Sequence, residues 1–150
     1  MTTIWHGGVP DLAAMTRLGA QSMAGFLGIE FVAVGDDWLR ARMPVSERTK
    51  QPYGRLHGGA SVALAETVAS IAAAMSVDPA VSAAVGMEIN ANHIRPAGDG
   101  HVYATARAEA RGRTSQVWSI RIEDEDGRLV CIARMTAAII PVGRGGVSGG

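Results

Sequence analysis

What this chain has little of narrows its reading before any motif is considered. A single cysteine, Cys131, rules out an intramolecular disulfide. Its place in an apolar, strand-like run reads as a small buried hydrophobe in a reducing compartment rather than as a reactive thiol. Charge of one sign is not in excess either: fourteen basic residues balance fourteen acidic ones. The net charge therefore supplies no field that would draw the protein to nucleic acid or to an anionic membrane. The first residues, MTTIWHGGVPDL, combine neither a basic start nor a long apolar core, so a cytoplasmic location without a secretory leader is expected. Metal-ligand spacings, internal repeats and phosphate loops are missing, and the glycine pairs at 7–8 and 145–146 lack the context a phosphate loop needs. No metal and no cofactor is expected.

Long apolar runs are scarce too. The stretch from Gly58 to Val77 approaches the ~20 residues of a membrane span. It consists mostly of Ala, Ser and Gly, however, with a carboxylate in its middle, and reads better as a buried helix of a soluble protein.

What is present describes one ordinary globular domain: 150 residues, 47% hydrophobic and 19% charged. Residues 1–141 are expected to form it, with 142–150 as a flexible Gly-rich tail. Asp11, after Pro10, is a plausible N-cap for a short helix over 11–24. From Leu27 the period changes to two, and the Gly35-Asp36-Asp37 turn joins IEFVAV to a strand in which Leu39, Ala41, Met43 and Val45 alternate with Arg40, Arg42 and Pro44. Residues 46–57 read as loop. The one long helical pattern covers 58–76 and stops at Asp78-Pro79; its small and apolar residues run all the way round, which predicts a helix enclosed by other structure. Strands follow. Val102, Ala104, Ala106, Ala108 and Ala110 alternate with polar residues, Trp118, Ile120 and Ile122 do the same, and Asp126-Gly127 predicts a hairpin into the run from Leu129 to Ile140. The fold class implied is α+β: an antiparallel sheet of about six strands wrapped around one long central helix, plus a short N-terminal helix.

Between His57 and Asp78 the only ionisable side chain is Glu66. A lone carboxylate in an apolar helix is costly to bury unless paired or hydrogen-bonded, so it is either a base or nucleophile or a group that faces a solvent gap or an arginine. Just upstream, His57-Gly58-Gly59 opens the helix. Glycines there let a substrate approach free backbone N–H groups, where the helix dipole favours negative charge. A thioester under attack develops an oxyanion, and one well-placed donor for it contributes ~3–4 kcal/mol. Ser70, four residues after Glu66, lies on the same face and either positions the carboxylate or a water or simply packs.

These residues sit in a longer pattern. The run Gln51-Pro52-Tyr53-Gly54-Arg55-Leu56-His57-Gly58-Gly59-Ala60-Ser61, continued by Ala63-Leu64-Ala65-Glu66-Thr67, resembles the signature of hotdog-fold thioesterases. It is most similar to the 4-hydroxybenzoyl-CoA thioesterases of the Arthrobacter type, a group that includes 1,4-dihydroxy-2-naphthoyl-CoA thioesterases and enterobactin-pathway proofreading thioesterases. The likeness extends from Ile4-Trp5 through GDDWLRARMPV and Asn90–Pro96 to about Pro141. It implies a hotdog fold and hydrolysis of an acyl-CoA, aromatic in its acyl part, with an acyl carrier protein as a possible alternative carrier. Glu66 falls on the family's catalytic glutamate and Gly58 on the residue whose N–H polarises the thioester carbonyl. His57 and Gln51 fall on side chains that hold that carbonyl and the leaving group, and Ser70 on a hydroxyl near the attacking water. Gly59 belongs to the same binding turn. Arg95, in His93-Ile94-Arg95-Pro96, and Arg113-Thr114 fall where relatives contact the CoA nucleotide, although some relatives carry serine in place of Arg113.

Two other readings share the pattern. A hotdog hydratase or dehydratase needs an acid–base pair at the acyl α and β carbons, and no second strong candidate stands near Glu66. A non-catalytic acyl-CoA-binding module is expected to carry an output domain, for which 150 residues leave no room. Assembly follows from spacing: Glu66 lies eight residues beyond Gly58, ~12 Å along a helix. Both must reach one thioester, so a homodimer with composite sites is expected, and the resemblance implies a dimer of dimers.

Overall fold

The computed structural model describes residues 2–143. Most of the expected tail, 144–150, lies outside the described residues. In chain order the elements are α1 (Leu12–Gly19), α2 (Met23–Leu27), β1 (Glu30–Val34), β2 (Trp38–Pro44), α3 (Gly58–Met75), β3 (Ser82–His93), β4 (His101–Arg111), β5 (Ser115–Glu123) and β6 (Leu129–Pro141). The strands form one six-stranded sheet in the order β1-β2-β4-β5-β6-β3, antiparallel throughout. β3 follows α3 in sequence yet pairs with β6 at the far edge, so α3 carries the chain across the sheet. The sheet curls around it, with β2 to β6 all packing on the helix.

The alternation explains this shape. Leu39, Ala41 and Met43 of β2, Val102, Ala104 and Ala106 of β4, and Trp118, Ile120 and Ile122 of β5 all point inward and are fully buried. On α3 the facing residues are Leu64, Ala65, Val68, Ala69, Ala72 and Ala73. Four alanines among the six let the helix backbone approach the sheet closely, while each large apolar side chain it buries adds roughly 1.5–3 kcal/mol. At the helix's C-terminal end, Trp118 Nε1 donates to Gln116 Oε1 (2.9 Å) and Gln116 Nε2 donates to Ser76 Oγ (2.9 Å). Trp5 stacks on Trp118 at 6.5 Å and donates to the Gly35 carbonyl, which fastens the N-terminal segment over this end of the core. Cys131 is buried in β6 as expected, and burial pushes its thiol pKa up.

Three expectations need correction. The single helix over 11–24 is two helices. Asp11 does cap the first, accepting from Ala14 N–H at 3.0 Å, but the chain turns at Ala20–Ser22. Gly25 then lies so close to the Ala20 carbonyl that a Cβ there would overlap it. Burial alternates from Leu27 as expected (Leu27, Ile29 and Phe31 are buried), but the strand itself starts at Glu30, because Leu27 closes α2 and Gly28 ends it in the left-handed region (φ 78°). The alternation in β4 also fails at its end: a bulge between Ala108 and Ala110 leaves Ala110 exposed.

Enclosure of α3 holds for one side only. Val62, Glu66 and Ser70 are half-buried and Ala74 is exposed, a row only partly covered, with Glu66 and Ser70 reaching toward Gly86 on edge strand β3. One sheet covers one side of a helix, so the all-round apolar pattern is left unmatched within a single chain.

Candidate active site

The site begins with a braced loop. Thr49, 1% exposed, donates from its hydroxyl to the Pro44 carbonyl (2.8 Å) and accepts from Ser46 N–H (2.9 Å). His57 N–H donates back to the Thr49 carbonyl, Gln51 N–H to Arg55 and Leu56 N–H to Ala97. The segment 46–57 is therefore irregular, as expected, but tied down at both ends, and it sets the start of α3.

His57 is the N-cap of α3, and its Nδ1 accepts the Gly59 N–H at 2.8 Å. A neutral ring with an acceptor at Nδ1 carries its proton on Nε2. Of the two glycine donors at the helix start, Gly59's is thus used by the cap, and Gly58's has no acceptor among the described residues. Gly58 lines a cleft of about 370 Å³ together with Gln51, Arg55, Ser61, His93 and Arg95, with Pro96 and Val130 among its apolar walls. The His93 ring stands over Gly58: a Cβ there would lie 2.9 Å from His93 Nε2. Gln51 turns its Oε1 to Tyr53 N–H, which leaves its amide N–H₂ as the donor face.

Glu66 occupies a second locus. It is half-buried and forms no ion pair among the described residues, so the arginine partner allowed by the sequence is not there. Its Oε1 lies over Gly86 of β3, 3.0 Å from where a Cβ of that residue would stand, and the Ser70 hydroxyl reaches 3.4 Å from the same point. Glu66 and Ser70 are therefore brought together, as their spacing predicts.

The two loci are separate within one chain. Gly58 sits beside His93 and Glu66 beside Gly86, and on β3 those neighbours are seven residues apart, roughly 20 Å. Arg113 and Thr114, in the turn between β4 and β5, also lie far from the cleft: Thr114 O accepts from Ile139 N–H and Ser115 pairs with Ala138, whereas His93 pairs with Cys131. The structure thus groups Gln51, Gly58, His93 and Arg95 at one end of the sheet, and Glu66, Ser70, Arg113 and Thr114 toward the other. His57 and Gly59 brace the first group.

Sequence reading passed over Gly86, Arg55 and Ser61. Gly86 carried a legible signal, since an isolated glycine in a strand pattern marks a bulge or a close approach. Ser61, 2% exposed, and Arg55 look like ordinary motif residues until the fold turns them toward the cleft.

An antiparallel six-stranded sheet curled around one long helix is the hotdog fold. Comparison with known proteins agrees. Residues 53–131, more than half of the chain, match the thioesterase superfamily. The 1,4-dihydroxy-2-naphthoyl-CoA hydrolase of Escherichia coli is 49% identical over 137 residues, covering 91% of this chain and 99% of that protein. The proofreading thioesterase EntH of Cronobacter turicensis is 43% identical over 129 residues, covering 86% and 93%. A mutant of thioesterase PA1618 from Pseudomonas aeruginosa superposes with a TM-score of 0.91 at 46% identity, over 93% of this chain and all of that one. The chain belongs to the thioesterase superfamily.

Proposed function

We propose that this protein hydrolyses an aromatic acyl-CoA to the free acid and CoA, and that it does so as a dimer with composite sites. The observation that carries this reading is the unused Gly58 N–H at the mouth of a cleft that also holds Gln51, His93 and Arg95. The thioester carbonyl would lie with its oxygen on Gly58 N–H. Gln51 and the Nε2–H of His57 help hold the carbonyl and the leaving group. Glu66 either activates a water or attacks the carbonyl carbon to give a mixed anhydride that water then cleaves; both need the ionised carboxylate at the same place. Arg95 and Arg113 meet the phosphates of the CoA nucleotide, for which planar guanidinium groups are suited. The aromatic acyl group is favoured because a relative 49% identical to this chain is a 1,4-dihydroxy-2-naphthoyl-CoA hydrolase.

A dimer is favoured by what the single chain leaves open. Edge strand β3 is 12 residues long and exposes Val85 and Met87 along the open edge of the sheet. Open edges of that length are normally paired or covered. A two-fold axis near the middle of β3, between Gly86 and His93, would carry Glu66 of one chain toward the partner's Gly58. A further pairing of dimers would use surfaces outside this interface.

The test is a panel of aromatic, short aliphatic and long aliphatic CoA thioesters, with the same acyl groups on a carrier protein, followed by free-thiol release. Highest kcat/KM on aromatic CoA thioesters is the expected result. Hydration of an enoyl thioester without thiol release, or binding without turnover, would refute it.

A further inference from the structure

We infer that Gly86 is a positioning residue: the space left by its missing side chain seats the water that attacks the thioester or its acyl intermediate. This rests on the proposed role of Glu66 and goes on to say what holds the second reactant.

The geometry comes from three groups meeting at one point. A Cβ on Gly86 would stand 3.0 Å from Glu66 Oε1, 3.4 Å from Ser70 Oγ and 3.9 Å from Met135 Sδ. A water oxygen just above that point has a carboxylate to accept its proton, a hydroxyl to orient it and an apolar floor beneath it. Those are the contacts a hydrolytic water needs, since a base must lie within hydrogen-bond reach of the proton it takes.

The strand is shaped around this spot. Gly86 pairs with Ala137 and Glu88 with Thr136, which makes Met87 the extra residue of a bulge. The bulge changes which residues face the helix: Ala84 packs on the core before it, and Ile89 and Ala91 after it. Gly86 is the last inward position before the switch. Bulges beside active sites commonly re-aim side chains in this way.

In Gly86→Ala the new methyl occupies the water's place. Because the nearest atom is the end of the flexible Glu66 side chain, the fold should tolerate it. We expect kcat to fall about 100-fold, the scale of a ~1 Å misplacement of a reacting group, with KM changed by less than about twofold. A perturbation that only loosens the strand would raise KM as well. Val32→Ala, exposed on β1 at the opposite edge of the sheet, is the control and should leave kcat and KM alone. A Gly86→Ala enzyme with near-normal kcat, or a loss of kcat/KM carried mainly by KM, overturns the proposal. Should Gly86→Ala not fold, a high-resolution crystal structure of the unsubstituted protein decides. Ordered water within hydrogen-bond distance of both Glu66 and Ser70 over Gly86 supports the assignment, and none there refutes it. That observation needs no substrate, so it stands apart from whether the thioester panel succeeds.

Discussion

Mixing two inactive variants should restore activity, and by a calculable amount. Glu66→Gln removes the carboxylate and leaves the helix start intact. Gly58→Ala puts a methyl 2.9 Å from His93 Nε2, in the space where the carbonyl must approach its donor, and leaves Glu66 intact. The N–H of Gly58 and the reacting atom held by Glu66 must each come within about 3 Å of one carbonyl group. In a single chain Gly58 lies under His93 and Glu66 over Gly86, neighbours that are seven residues apart on β3. The side chain of Glu66 leans toward the helix start, but it cannot cover the ~12 Å of helix between them. If two chains supply the two groups across a two-fold axis, a hybrid dimer has one site with both defects and one with neither. Random pairing after joint unfolding and refolding gives about half hybrids, and half of their sites are intact. The mixture should therefore recover about one quarter of wild-type activity per chain, while each variant refolded alone recovers almost none. The assay is thiol release from an aromatic CoA thioester, with hybrids counted by differently tagged chains. Hybrids present in the expected proportion without activity would mean that each site is built from one chain.

Other expectations follow from the same site and core. Glu66→Gln should keep the fold and lose several orders of magnitude in kcat, and retention of more than about a tenth of turnover would remove Glu66 from the chemistry. Glu66→Asp should also be poor, by ~100-fold, because the shorter side chain withdraws its oxygen by ~1 Å. Arg95→Ala and Arg113→Ala should raise KM for CoA thioesters with little change in kcat, and an unchanged KM in both would place the nucleotide elsewhere. Trp118→Ala removes a fully buried ring that stacks on Trp5 and bonds to Gln116. It should cost about 3–5 kcal/mol in a denaturant titration, and a cost under about 1 kcal/mol would contradict the packing described.

Much of this protein can be read from the chain in order. The alternation through Leu39–Val45, 102–106 and Trp118–Ile122 predicts strands with one buried face, and those residues are buried. Asp11 as an N-cap, the helix beginning at Gly58 and the turn at Asp126-Gly127 were equally legible, because caps, helix periods and tight turns depend on residues a few positions apart. So was the isolation of Glu66 among apolar neighbours, and its pairing with Ser70 one helical turn later. The break of the N-terminal helix at Ala20–Ser22 was not legible, since it depends on Gly25 resting against the Ala20 carbonyl and not on a turn signature.

Long-range placement lies beyond local pattern. Nothing in the run from Ser82 to His93 says that it pairs with β6 rather than with the strand before it, yet that pairing puts Gly86 under Glu66 and His93 over Gly58. The bulge at Met87, which ends the even-numbered alternation just after Gly86, is a property of two strands in register. That His57 takes up the Gly59 N–H and leaves Gly58's free depends on the rotamer of one ring at the helix start. Periodicity determined which faces would be apolar, because each side chain's direction follows from its own backbone. Tertiary structure decided what those faces met and left the row Val62, Glu66, Ser70 and Ala74 only partly covered, at the edge strand β3, because one sheet can close over only one side of a helix.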